Sequence, residues 1–196
     1  MRIKICGITR LEDAQAAVNF GADALGFNAY PKSPRYVEPH EATKIVEKLS
    51  SRPMIIGVFV KGFLEGIDSD LWDAVQLHGY EYESELPQLS VPVYVAVSTN
   101  KVHEFSSTPL VVDESWGRGV TTDWNSLARL RQQFVLSGGL NPSNVSEAVA
   151  ICSPSGVDVC SGVESSPGIK DHDKLQLFIE RADTALKNIE NAEVQQ

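Results

Sequence analysis

Short apolar runs alternate with longer mixed stretches along the whole chain. Most of these runs are apolar at nearly every position, which is typical of strands buried on both faces of a parallel sheet. The pattern predicts eight strands. They cover residues 3–6, 24–28, 55–60, 74–77, 93–97, 110–113, 134–137 and 157–160.

The stretches between several of these runs have the periodicity of amphipathic helices. In the first, Thr9 and Glu12 have the spacing of a capping box, and Gly21 marks the end of the helix. The other predicted helices cover residues 41–49, 123–132, 143–151 and 171–188. Asp123 stands at the expected cap position of the helix over residues 123–132.

Eight strands that alternate with helices predict a single α/β domain, a (β/α)8 barrel over residues 1–188. The polar residues 189–196 are expected to form a frayed tail. The three middle units are short, with strand starts only 17 to 19 residues apart, so their helices must be shortened or replaced by loops. An open doubly wound sheet is the alternative that the pattern leaves.

Composition narrows the class of protein. The formal net charge of −9 argues against nucleic acid as a partner, since nucleic-acid binding leaves a basic footprint. No apolar run is long enough to span a membrane, and the chain enters its first strand without a signal-like segment. The three cysteines, Cys6, Cys152 and Cys160, match no metal motif. A reduced cytoplasmic location and no metal are therefore expected.

Residues after the predicted strands are the candidates for chemistry, because a barrel of this type carries its site at the carboxyl ends of its strands. Glycine clusters after strands seven and eight favour a phosphate site, since glycine lets backbone N–H groups approach an anion closely. Tight turns that need glycine are the alternative. The candidates are Gly138, Gly139, Ser161 and Gly162, with Gly117 and Gly119 in the unit before.

Four side chains could act on a substrate held there. Cys6 and Asp113 end strands one and six and are candidates for acid–base work, although Cys6 could equally be a small buried hydrophobe and Asp113 a loop anchor. His78 follows strand four and is a candidate substrate contact or a hydrogen-bonded wall residue. Arg35, in a loop between two prolines, is either a fork for a carboxylate or phosphate or a solvated arginine.

Taken together, these segments resemble the phosphoribosylanthranilate isomerases of tryptophan biosynthesis. The resemblance covers nearly the whole chain, and the order and spacing of its motifs are specific. The matching motifs are KICGIT at residues 4–9, GADALGF at 21–27, YPKSPRYV at 30–37, GVFV at 57–60, VQLHG at 75–79, LSGGLNP at 136–142, GVDVCSGVE at 156–164 and PGIKD at 167–171.

The resemblance implies a (β/α)8 barrel and an Amadori rearrangement, an aldose–ketose isomerisation of N-(5-phosphoribosyl)anthranilate. It implies that Cys6 is the general base and Asp113 the general acid, while Asp123 corresponds to a helix-start aspartate. It further implies that Arg35 holds the anthranilate carboxylate and that Asp158 lies near the anthranilate part. The implied partner is a small phosphorylated substrate, with no cofactor, and the protein is expected to be a monomer or a homodimer.

The chain departs from the family pattern in three places. The loop after strand six reads Trp116-Gly117-Arg118-Gly119, Val95 replaces a lysine that is usual in strand five, and Cys160 replaces a small residue that is commonly serine. Two alternatives stay open. One is a related sugar-phosphate isomerase such as that of histidine biosynthesis, and the other is a non-catalytic phosphate-binding barrel.

Overall fold

Eight parallel strands close into a barrel in chain order in the computed structural model, which describes residues 1–113, 124–130 and 132–194. Each predicted strand is confirmed to within one residue at either end. Closure is direct, because β1 pairs with both β2 and β8, and the open-sheet alternative is excluded. The strands are β1 (Ile3–Cys6), β2 (Ala24–Asn28), β3 (Met54–Val60), β4 (Ala74–His78), β5 (Val93–Val97), β6 (Leu110–Val112), β7 (Phe134–Leu136) and β8 (Gly156–Val159).

The helices are unevenly distributed around the barrel. Residues 61–109, all of which are described, contain no α-helix and only two 3-10 segments, Glu83–Glu85 and Thr99–Glu104, so the shortened middle units are confirmed. The last helix continues past its predicted end at residue 188 to Val194. The α-helices are α1 (Leu11–Phe20), α2 (Pro39–Val46), α3 (Trp124–Leu127), α4 (Val145–Cys152) and α5 (His172–Val194).

The start of α1 differs from the prediction. The capping box is wrong: Arg10 is the cap position and no side chain caps the helix. The Thr9 hydroxyl instead donates to the carbonyl of Gly168, far along the chain. The end of α1 at Gly21 is confirmed, with a left-handed φ of 104° that glycine adopts readily. The predicted cap Asp123 lies outside the described residues.

A short antiparallel hairpin follows β8 and was not predicted. It consists of β9 (Glu164–Ser166) and β10 (Ile169–Lys170). Asp13 of α1, whose side chain is fully buried, accepts hydrogen bonds from the Lys170 backbone N–H at 3.1 Å and from Arg10. This contact fixes the hairpin to α1 and brings Glu164 and Lys170 to the carboxyl ends of β1 and β8.

The core has an outer and an inner part. The outer part fills the space between strands and helices and contains most of the buried apolar side chains. Inside the barrel, Ala24, Ile56 and Ala74 form a small apolar layer near the amino ends of the strands. Polar residues occupy the interior above this layer, which places them towards the carboxyl ends. Among the described helices, none has both the length and the apolarity to cross a bilayer.

Candidate active site

One cavity of about 460 Å³ lies at the carboxyl ends of the strands. It is lined by side chains from several strands and by the loop after β2. Five predicted site residues meet there: Cys6, Arg35, His78, Asp113 and Asp158. The lining also includes Ser137 and Cys160, the residues directly before the two glycine loops.

The loops after β7 and β8 have backbone conformations and contacts that require glycine. Gly138 and Gly139 have φ values of 84° and 66°, which side chains disfavour. A Cβ added to Gly162 would overlap the carbonyl oxygen of Leu140, so the two loops touch through their backbones. Ser161 and Gly162 lie in a 3-10 segment that directly follows β8. Gly117, Arg118 and Gly119 lie outside the described residues.

A buried ion pair crosses the barrel interior below the cavity. The Lys4 ammonium donates to Asp158 at 2.9 Å and to Gln76 at 2.8 Å, with Lys4 fully buried. Burial raises the pKa of Asp158 to about 7, although the Lys4 charge opposes this. Burial disfavours the charge on Lys4, yet the Asp158 carboxylate outweighs it and raises the Lys4 pKa above its usual value. Lys4 therefore keeps its positive charge beneath Cys6.

The protonation of His78 follows from this pair. Because the Gln76 carbonyl oxygen accepts from Lys4, its amide NH₂ faces the Nε2 atom of His78 at 2.9 Å. Nε2 is then the acceptor, and the imidazole proton is on Nδ1. Burial lowers the pKa of His78, which favours this neutral ring. His78 is thus a neutral polar wall of the cavity.

Cys6 sits in an environment that favours its thiolate. The pKa of Cys6 is well below its ordinary value, first because of a hydrogen bond with the Cys160 side chain and then because the Lys4 and Lys170 charges add to outweigh burial. Lys170 donates to the Cys6 carbonyl at 2.7 Å, which places its ammonium beside the strand end. Gly26 on β2 supplies the space, since a Cβ there would lie 3.0 Å from the Cys6 sulfur. This environment is typical of a reactive thiol rather than of an inert buried one.

Arg35 enters the cavity already paired. Its Nε and Nη2 atoms donate to the two carboxylate oxygens of Glu164 at 2.8 and 2.7 Å. Such a bidentate pair fixes the plane of the guanidinium. The alternative of a solvated arginine is wrong, because the side chain is only 13% exposed.

Glu164 links Arg35 to Lys170. Its Oε1 atom also accepts from the Lys170 ammonium at 3.1 Å and from the Gly168 N–H at 3.2 Å. Burial would raise the pKa of Glu164, but the hydrogen bonds from Arg35 and the charge of Lys170 outweigh it and lower the pKa. One buried carboxylate therefore orders two cations at the mouth of the barrel.

Replacing Glu164 with glutamine is expected to destabilise the fold by about 3 kcal/mol, because Lys170 would keep a buried charge without its partner. For a chain of this length this corresponds to a loss of about 6–12 °C in Tm. Because the folded-state pKa is lowered, the stability from Glu164 is present above the unfolded pKa and is lost as the pH falls through the folded pKa. The difference between wild type and variant should therefore shrink below about pH 4.

Thermal unfolding followed by circular dichroism, at neutral and acidic pH, checks this. Glu180→Gln on the exposed face of α5 is the matched control and should unfold like wild type. Equal melting temperatures for Glu164→Gln and wild type at pH 7 would contradict the expectation.

Several residues of the site were not predicted from the sequence. Lys4 and Gln76 interrupt apolar strands two residues before Cys6 and His78, and this period of two is a signal that would have placed them on the inner face. Glu164 and Lys170 gave no such signal, because their positions depend on the hairpin. Val95, singled out as a departure, belongs to the outer core. Among the described residues, no cluster of His, Cys, Asp or Glu is arranged to hold a metal.

Known proteins of one family match both the sequence and the fold of this chain. The family model of N-(5'-phosphoribosyl)anthranilate isomerase matches residues 3–181. The Thermotoga maritima enzyme of that name is 41% identical over 93% of this chain and 98% of its own length. The Geotalea uraniireducens enzyme is 38% identical over 92% of this chain and 98% of its own.

Solved structures agree with the sequence matches. The crystal structure of the Thermotoga maritima phosphoribosyl anthranilate isomerase superposes with a TM-score of 0.83 at 38% identity, covering 94% of this chain and 99% of that one. That of the Thermus thermophilus enzyme gives a TM-score of 0.79 at 32% identity, with the same coverage. Because the sequence, the order of its motifs and the barrel all match, this chain belongs to the N-(5'-phosphoribosyl)anthranilate isomerase family.

Proposed function

We propose that this chain converts N-(5-phosphoribosyl)anthranilate to 1-(2-carboxyphenylamino)-1-deoxyribulose 5-phosphate, with Cys6 as the base and Asp113 as the acid. Isomerase activity in tryptophan biosynthesis is the activity of this family. The observation that carries the assignment of roles is the cavity that holds both groups, with the Cys6 thiol beside the charges of Lys4 and Lys170. A solved relative in the same family contains the reduced form of this product.

The reaction needs two proton transfers that these residue types can perform. Asp113 donates a proton to the ribose ring oxygen as the C1′–O bond breaks, and the nitrogen lone pair forms a C1′=N iminium. Cys6 then removes the C2′ proton, and the C–H electrons move into a C1′=C2′ enolamine while the iminium nitrogen becomes neutral. Transfer of the enol proton to C1′ leaves the C2′ ketone. Each positioned group contributes about 10²–10⁴-fold to the rate.

The remaining predicted residues hold the two ends of the substrate. Backbone N–H groups at Gly138, Gly139, Ser161 and Gly162 would bind the phosphate, together with Gly117 and Gly119 from the loop after β6. At the other end, Arg35 would bind the anthranilate carboxylate, with Asp158 and His78 against the anthranilate part. Anchors at both ends fix the reacting carbons between Cys6 and Asp113.

The other expectations for this protein follow the same assignment. The partner is a small phosphorylated molecule, no cofactor is needed because the iminium nitrogen is itself the electron sink, and the expected location is the cytoplasm. The assembly is a monomer or a homodimer; the Thermotoga maritima relative is dimeric. Light scattering of the purified protein distinguishes the two.

Turnover of the labile substrate is the test of this function. The substrate is made in situ from anthranilate and phosphoribosyl pyrophosphate, and the loss of its fluorescence is followed after the protein is added. Rapid loss is expected. A folded protein that binds phosphate but does not turn the substrate over would instead be a non-catalytic barrel. Turnover confined to the aminoaldose of histidine biosynthesis would indicate the related isomerase.

Arg35→Lys is expected to lower kcat/KM by about 10–100-fold, because a point charge cannot replace a bidentate, charged hydrogen-bond pair. Comparing the normal substrate with the aniline analogue, which lacks the carboxylate, isolates this role. The variant should lose much more with the normal substrate than with the analogue. Equal losses on the two substrates would mean that Arg35 does not bind the carboxylate.

A further inference from the structure

Cys6 and Cys160 occupy equivalent places on neighbouring strands. In the register of β1 and β8, Lys4 lies opposite Asp158 and Ile5 opposite Val159, so Cys6 and Cys160 are the next pair. Both cysteines are two residues beyond an inward-facing ionic side chain and therefore also face inward. Neighbouring strands are about 4.8 Å apart, so the two thiols share one corner of the cavity.

The contacts around this corner place the two cysteines side by side. Both side chains line the same cavity. A Cβ on Gly7, the residue after Cys6, would lie 2.8 Å from the Cys160 sulfur. The Lys170 ammonium donates to both cysteine carbonyls, at 2.7 and 3.1 Å, and holds the two strand ends side by side. Strand register, the close approach to Gly7 and the shared Lys170 ammonium therefore place Cys160 next to Cys6.

The charges around the pair are unevenly placed. Cys6 has the ammonium groups of Lys4 and Lys170 as its favourable neighbours. Cys160 has the carboxylate of Glu164, with 3.8 Å between its sulfur and Oε1. A second anion beside that carboxylate is unfavourable, so the proton of the pair belongs on Cys160. The other charged or titratable groups that line the cavity are Tyr30, Lys32, Arg35, His78, Asp113 and Asp158.

The Cys160 proton is also available to Cys6. Oε1 of Glu164 already accepts three shorter hydrogen bonds, from Arg35 at 2.8 Å, Lys170 at 3.1 Å and Gly168 at 3.2 Å. The 3.8 Å contact from Cys160 is the longest at this oxygen. Cys160 donates only this long hydrogen bond to a crowded carboxylate, so its single proton can turn instead to a thiolate on its other side.

We propose that Cys160 is a positioning residue whose S–H donates a hydrogen bond to the Cys6 thiolate, so that the two-thiol pair carries one proton and one negative charge at neutral pH. This rests on the proposed function, in which Cys6 is the base. The hydrogen bond keeps Cys6 ionised and points a sulfur lone pair at the substrate. A base performs best when it is ionised near the working pH, and this donor brings the Cys6 thiol towards that condition.

The pH dependence of Cys6 alkylation tests the proposal without relying on turnover. Iodoacetamide is the probe, and the modification of the peptide that contains Cys6 is measured by mass spectrometry from pH 5 to pH 10. In Cys160→Ala the midpoint should rise by about one unit, so that the rate falls about tenfold at pH values below the wild-type midpoint. Cys160→Ser keeps a donor and should restore a low midpoint. Cys152→Ala, a buried cysteine of α4 outside the cavity, should leave the midpoint unchanged.

Two outcomes would overturn the proposal. The first is a folded Cys160→Ala variant whose Cys6 midpoint equals that of wild type. The second uses Cys6→Ser and does not depend on the folding of Cys160→Ala. In Cys6→Ser the neighbouring negative charge is gone, so the midpoint of Cys160 alkylation should fall relative to wild type. An unchanged Cys160 midpoint in Cys6→Ser would show that the two thiols do not share a proton.

Parallel turnover assays separate this inference from the proposed function. The acid limb of the kcat/KM profile should move to higher pH in Cys160→Ala, together with the alkylation midpoint. A low alkylation midpoint in a wild-type protein without turnover would remove the isomerase proposal and leave the thiol pair. Normal turnover, with an alkylation midpoint that is the same in wild type and Cys160→Ala, would keep the isomerase proposal and remove the thiol pair.

Discussion

Cys6→Ser is expected to lower kcat by about 10²–10⁴-fold, the contribution of one positioned acid or base, while the protein stays folded. A serine hydroxyl fills nearly the same space, so neither the packing against Gly26 nor the strand changes. It does not ionise near neutral pH, however, so the charges of Lys4 and Lys170 would have no thiolate to stabilise. Product binding should be retained, because the phosphate and carboxylate anchors are untouched.

The measurement is the initial rate of loss of substrate fluorescence, with circular dichroism as the check on folding. Cys152→Ser is the matched control, since Cys152 is equally buried but packs in the outer core, and it should retain wild-type turnover. A Cys6→Ser enzyme with more than about a tenth of the wild-type rate would mean that another group takes the proton.

Asp113→Asn is expected to have a loss of similar size, again about 10²–10⁴-fold in kcat. Asparagine has the same shape but has no carboxylic acid proton to give to the ring oxygen, so opening of the ribose ring becomes slow. The backbone should tolerate the change, because Asp113 is held at the end of β6 by its own N–H, which donates to the Val97 carbonyl at 2.9 Å. Asp173→Asn on exposed α5 is the matched control and should be fully active.

A substrate deuterated at C2′ separates the two roles. In Cys6→Ser the removal of the C2′ proton should limit the rate, so a primary isotope effect is expected. In Asp113→Asn ring opening should limit the rate, so the isotope effect should be suppressed. An isotope effect on Asp113→Asn that equals that of Cys6→Ser would contradict the division of labour. Full activity of Asp113→Asn would transfer the acid role elsewhere, with Asp123 as the next candidate to replace.

The sequence by itself determined the barrel and the positions of its main chemical groups. The strands could be recognised because a strand buried on both faces is apolar at nearly every position, and this condition acts on a few consecutive residues. Cys6, His78 and Asp113 could be recognised because each ends such a run, and parallel strands deliver their ends to one rim. The period of two along β1, β4 and β8 would also have placed Lys4, Gln76 and Asp158 one layer below, although only Asp158 was among the expected site residues.

Only the tertiary structure decided which side chains pair with each other at the rim of the barrel. Arg35 meets Glu164 across 129 residues of sequence, and Lys170 meets Cys6 across 164, so no local spacing could indicate either contact. The capping box failed for the same reason, since the Thr9 hydroxyl found a partner in Gly168 rather than in its own helix. The pairing of Cys6 with Cys160 depends on strand register across the point where the barrel closes. Local pattern specifies which residues form strands, whereas burial and pairing of charge, which fix the site, depend on what the closed fold brings together.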